Sequence, residues 1–211
     1  MSNHALDQKL HYIGIQLSSV KKVSHTDWLD IEITLYESTL EVFHDSRLFA
    51  LLASWISVHG DYVIIEKLMK LQKKQNSPWL AALAVCAVNL GFHQWKRLIK
   101  KQKGEFALVD VSLAKSSISI KGAEPNFIKS GFFIPAGSIR IRSIDILSRE
   151  KLVKKNRQYR NRLLYGACWR ADIITAIEKE IKNPYQIAKT LGCSYEPAMR
   201  IYKEYKLAQA A

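Results

Sequence analysis

Apolar positions recur at helical spacing through most of the first hundred residues. Leu6, Leu10, Ile13 and Leu17 share one face, and Trp28, Ile31 and Leu35 repeat the pattern, although Ile31–Tyr36 also fits a short strand. Asp45-Ser46 is a capping pair before an apolar helix over 48–58, and Gly60 is placed to close it. A helix over 62–71 follows. Asn76-Ser77-Pro78 then sets a cap with proline at the first helical position, opening a helix over 79–90 that stops at Gly91, with a last helix over 94–101. Placing Gly60 on Gly91 aligns Ala50 with Ala81, Leu52 with Leu83 and Ala53 with Ala84. The pattern predicts a helical bundle over 1–103 in which one hairpin is repeated.

The pattern then changes. Phe106, Leu108, 117–121 and 127–134 are short β-branched or aromatic stretches broken by Gly104, Gly122, Pro125 and Gly131. Phe132-Phe133-Ile134, the turn Pro135-Ala136-Gly137-Ser138 and 139–142 predict a β-hairpin. In that hairpin Ile139 and Ile141 face one way and Arg140 and Arg142 the other. The expectation for 104–147 is a small central antiparallel sheet, which makes the fold class α+β, mainly α.

Helix returns over 148–211. Ser148 can cap a helix from Arg149. A second helix, from about Asn156, carries Tyr159, Leu163 and Leu164 on one side and Arg157, Arg160 and Arg162 around the rest. Ile173, Ile174, Ile177 and Ile181 form an amphipathic stripe over 171–181. The segment NPYQIAKTLGCSYEPAMRIYKEY then meets the physical needs of a helix-turn-helix. Asn183 caps, Pro184 opens and Leu191 ends a short helix. Gly192 supplies the positive φ of a tight turn. Ser194 caps a second helix from Tyr195 to about Tyr205, with Pro197 in its first turn. Ile187, Ala188, Leu191, Ala198 and Ile201 are the inward positions.

Charge sharpens this reading. The chain has 32 Lys and Arg against 19 Asp and Glu, a net +13. Its excess lies mainly after residue 103. Arg149, Lys151, Lys154, Lys155, Arg157, Arg160 and Arg162 crowd into fourteen residues beside one acid, Glu150. Such a density calls for a polyanion, most simply nucleic acid. In a helix-turn-helix the second helix reads bases. Tyr195, Met199 and Arg200 are therefore the base-contact candidates, Arg200 because a guanidinium matches guanine N7 and O6. Ser194, Lys189, Lys203, the basic residues over 149–162, Arg140 and Arg142 are the phosphate-contact candidates.

Residues 163–208, LLYGACWRADIITAIEKEIKNPYQIAKTLGCSYEPAMRIYKEYKLA, resemble the helical part of bacterial winged-helix regulators, especially the arsenical-repressor type. The aromatic-Gly element followed by Arg170-Ala171-x-Ile173-Ile174 is also similar to antitoxin-type regulators encoded beside nucleotidyltransferase toxins of abortive-infection systems. The resemblance implies a DNA-binding regulator or autorepressor, with a partner toxin or other protein as a further expectation. A homodimer on duplex DNA is expected because two reading helices one helical turn apart match successive major grooves. A winged helix places a β-hairpin after its reading helix, and here 206–211 leave room for none. A strand from 104–147 would have to supply it.

Other chemistries find little support. No histidines pair at i, i+4, and no Cys-x-x-Cys links Cys86, Cys168 and Cys193, so neither a metal nor a cofactor is expected. His44-Asp45 and His59-Gly60-Asp61 fall at predicted helix ends. Asp145 stands alone behind Gly137-Ser138, too little for metal-dependent nucleotidyl transfer. The expectation is not an enzyme. The longest apolar run, 79–88, is ten residues, about half of a membrane span, and the first ten residues lack a signal-peptide core, so a cytoplasmic site is expected. Two other readings remain open. One is an RNA-binding accessory factor that stacks bases on Tyr159 and Tyr165. The other is a protein-binding adaptor of a toxin or defence system.

Overall fold

The computed structural model describes residues 4–17 and 29–210. Trp28 and His25 lie outside them, as does the side chain of His4. The chain divides into two compact units, Met1–Arg149 and Glu150–Ala211.

The N-terminal unit is helical. Its helices are α1 (His4–Tyr12), α2 (Ile31–Glu41), α3 (Arg47–His59), α4 (Ile65–Lys74), α5 (Pro78–Asn89) and α6 (Val111–Lys121). Asp30 caps α2, its carboxylate accepting from the Glu32 and Ile33 amides. Pro78 opens α5, but the Ser77 hydroxyl leaves that helix end and bonds Thr39 on α2 at 2.9 Å. The core gathers around three fully buried tryptophans, Trp55, Trp79 and Trp95. Trp79 stacks edge-on with Phe49 and tilts against Phe132, with ring centroids 5.6 and 5.9 Å apart. Trp55 and Trp95 satisfy their indole N–H groups on the carbonyls of Ile13 and Gly60.

Two local expectations change here. The second limb of the repeated hairpin, expected as a helix over 94–101, is a 3-10 turn, His93–Leu98. Gly60 caps α3 with φ −56°, a right-handed conformation. A glycine is needed there for space, because a Cβ would sit 2.8 Å from the Phe92 ring.

The expected central sheet is not seen, and the fold among the described residues is mainly α with isolated bridges only. Residues 117–121 are the end of α6. Asp110 starts that helix by accepting from the Ser112 and Leu113 amides, and its favourable cap outweighs the β-branched pattern. Phe106 and Phe132 pair at one parallel bridge, and Ala123 and Pro135 at one antiparallel bridge. The turn Pro135–Ser138 does form, closed by the Ser138 amide on the Pro135 carbonyl at 3.1 Å. No strand returns from it, and one donor that a return strand would use is engaged elsewhere. The Arg142 amide donates to Ser54 Oγ on α3. The Arg140/Arg142 basic strand face therefore does not exist. The region expected as a separate sheet belongs to the N-terminal unit.

The C-terminal unit holds α7 (Arg149–Lys155, entering from the boundary), α8 (Arg157–Tyr165), α9 (Trp169–Glu178), α10 (Pro184–Leu191) and α11 (Tyr195–Ala210). On α8, Tyr159 faces inward and Arg157 and Arg160 outward as expected, but Leu163, Leu164 and Arg162 are reversed. Gln158, Tyr159, Asn161 and Arg162 are buried, whereas Leu163, Leu164 and Tyr165 are exposed. The facing side of α9 explains this, since it carries Asp172, Thr175 and Glu178 at helical spacing. Asn161 donates to Thr175 Oγ1 and Glu178 Oε2, both at 2.9 Å, and Gln158 to Asp172 Oδ2 at 3.1 Å. The helices meet through a polar seam whose groups are mutually satisfied.

Candidate nucleic-acid interface

Helices α9, α10 and α11 build the site. Asn183 caps α10 by accepting from the Tyr185 amide at 2.8 Å. Gly192 takes the left-handed conformation, φ 68° and ψ 26°, and its amide closes the helix on the Ala188 carbonyl. That conformation turns the chain within three residues into α11 at no steric cost. Ile187, Ala188, Leu191, Ala198 and Ile201 are all buried. Ala188 and Ala198 let the two helices approach closely, and α9 supplies Ile173, Ile174 and Ile177 beneath them. Arg170 of α9 ties down α11 through Glu204 at 3.2 Å.

This packing fixes which side of α11 points outward. Glu196, Arg200 and Lys203 follow one another at i, i+4 and i+7 and are exposed. Tyr195 is half exposed and Met199 intermediate. Ser194 stands exposed just ahead of the helix, and Lys189 is exposed on α10. Arg200, Lys203 and Lys189 have no ion-pair partner among the described residues. They differ in this from Arg170, whose charge is already spent.

The dense basic segment divides. Lys151, Lys154 and Lys155 are exposed and without an ion-pair partner among the described residues. The arginines are engaged. Arg149 belongs to the N-terminal unit, where its Nε donates to the Val58 carbonyl at 3.1 Å and its guanidinium lies 5.3 Å from the Tyr62 ring. Arg157 and Arg160 both reach the Glu178 carboxylate, at 3.9 and 3.5 Å, and Arg157 also donates to the Glu178 carbonyl. Arg162 is 0% exposed and forms a two-pronged pair with Asp172, Nε to Oδ1 and Nη2 to Oδ2, each 2.9 Å. Burial removes Arg162 from the phosphate contacts, because no phosphate can reach it. Arg140 and Arg142 are side chains of the N-terminal unit, where Arg142 is paired with Asp145 at 3.2 Å.

The two tyrosines of the RNA reading part company. Tyr159 is fully buried and offers no stacking face, while Tyr165 is 47% exposed. Sequence reasoning missed the carboxylate partners. Their signal is the matched spacing of Gln158 and Arg162 with Asp172, Thr175 and Glu178 on consecutive helices.

Among the described residues no helix is long and apolar enough to cross a membrane. No family model, curated protein or solved structure matches this chain.

Proposed function

We propose that the C-terminal unit binds duplex DNA with the outward face of α11 in the major groove, and that the protein is a cytoplasmic transcriptional regulator or an antitoxin-like autorepressor. One observation carries the reading. A short helix, a left-handed glycine turn and a longer helix present Arg200 and Lys203 exposed on an outward face, with no ion-pair partner among the described residues. Arg200 reads a base edge, and Tyr195 and Met199 flank it. Ser194, Lys189 and Lys203 with Lys151, Lys154 and Lys155 hold phosphates. Two copies bind a two-fold operator, whose half-sites lie one helical turn apart.

The test is selection of preferred sequences from a random duplex pool, followed by affinity measurements on the winner and its single-base variants. Arg200→Ala is expected to lose about 1–3 kcal/mol of discrimination at one guanine. Unchanged affinity and unchanged preference in that variant refute the assignment. A second reading, a protein-binding adaptor, is favoured by the exposed run Leu163, Leu164 and Tyr165. It predicts a stoichiometric protein partner and no duplex affinity even at low salt.

A further inference from the structure

The N-terminal unit contains a cleft of about 660 Å³, a size suited to a small organic molecule. One wall is the first half of α3, where Leu48, Ala50 and Leu51 give it an apolar lining. The facing wall is 140–145, held firmly in place. The Arg142 amide donates to Ser54 Oγ at 2.9 Å, the Gln16 amide to the Asp145 carbonyl at 2.7 Å, and Gln16 Nε2 to the Ile144 carbonyl at 3.3 Å. Among the described residues, three arginines and three aspartates line the cleft. Two pairs cancel internally. Arg47 forks onto Asp45 with both contacts at 2.9 Å, and Arg142 meets Asp145. Arg140 and Asp7 remain, one cation and one anion, neither with an ion-pair partner among the described residues.

We propose that this cleft binds a small zwitterion with an apolar middle, of the amino-acid or dipeptide kind. Arg140 takes its carboxylate and Asp7 its ammonium, while the α3 leucines cover the side chain. The charge balance excludes simpler ligands. With the two pairs neutralised, a simple anion would meet the unpaired Asp7 and a simple cation the unpaired Arg140. The balanced pair rewards a ligand that carries both signs. The inference is independent of the C-terminal unit and stands whether or not that unit binds DNA.

Calorimetric titration of the full chain with leucine and leucyl-leucine tests it, with N-acetyl-leucyl-leucine, leucyl-leucinamide and inorganic phosphate as comparison probes. One of the two zwitterions is expected to bind, and each capped form about tenfold or more weaker. In Asp7→Asn the acetyl cap is expected to lose its penalty, and in Arg140→Ala the amide cap is expected to lose its own. Both substitutions are at solvent-accessible positions, and unchanged melting temperatures show that the variants are folded. No binding of either zwitterion at millimolar concentration overturns the proposal. So does binding that ignores the caps, and so does phosphate binding in preference to both, which would mark an anion site on the arginines.

Discussion

The salt dependence of DNA binding separates the phosphate surface of the structure from the one suggested by sequence. Releasing counterions from duplex DNA gives a log-affinity slope against log salt of about −0.9 per neutralised phosphate. Counting every basic residue named over 149–162 with Lys189, Lys203, Arg140 and Arg142 would make it about −10 for each bound copy. Of these, the C-terminal unit presents Lys151, Lys154, Lys155, Lys189 and Lys203 exposed and, among the described residues, free of carboxylates. That smaller set gives about −5. Fluorescence anisotropy of a labelled duplex from low to physiological salt reads the slope directly. Lys154→Ala with Lys155→Ala is expected to flatten it by about 2 and to weaken all sequences alike. Arg157→Ala with Arg160→Ala is expected to leave the slope nearly unchanged and to lower stability, because those side chains hold Glu178. A slope near −10, or a slope insensitive to the lysine pair, refutes this division of the charge.

Three further outcomes test the interior. Arg162→Met leaves the Asp172 carboxylate buried without its guanidinium and is expected to cost about 3–5 kcal/mol in urea unfolding, whereas Arg162→Met with Asp172→Leu recovers most of the loss. Burial pushes the His59 imidazole down to about 4, against its bond to the Leu147 carbonyl and helped by the nearby Arg149 charge. The neutral form is favoured in the fold, so His59 supports stability above pH 6.5, and that support drains away as pH falls toward 4. The loss is about 3 kcal/mol, and His59→Gln is expected to flatten the stability profile in that window. Gly60→Ala drives a methyl to 2.8 Å from the Phe92 ring and is expected to cost about 1–3 kcal/mol, with partial rescue by Phe92→Leu, read by melting temperature.

What could be read from sequence was what is written locally. Asn183, Pro184 and Gly192 each act on their own few residues, and α10 begins and ends where they stand. The α3 and α5 helices follow from long apolar runs that no other period explains. The failures were decided by distant partners. The hairpin after Phe132 needed free amides on 139–142, and Ser54, 88 residues earlier, took one of them. The orientation of α8 needed knowledge of α9, since Leu163 and Leu164 predict an inward face only when the neighbour is apolar. With Asp172, Thr175 and Glu178 opposite, the amide and guanidinium groups turn in and the leucines turn out.

The same neighbour explains why one run of seven positive charges serves two ends. A guanidinium presents a planar fork that can satisfy a carboxylate through two parallel bonds, so it can be buried as part of a pair. An ammonium is strongly hydrated and gains little from a partner it must desolvate to meet. All four arginines of 149–162 have accordingly found acceptors: a carbonyl and a ring for Arg149, Glu178 for Arg157 and Arg160, and Asp172 for Arg162. The three lysines remain in water. Charge type, more than charge density, thus sorts this segment into groups that hold the helices and groups free to meet a phosphate. Arg200 keeps its guanidinium free although Glu196 lies one turn before it. That makes it the arginine of the C-terminal unit with most to gain from an external bidentate acceptor, and guanine offers one.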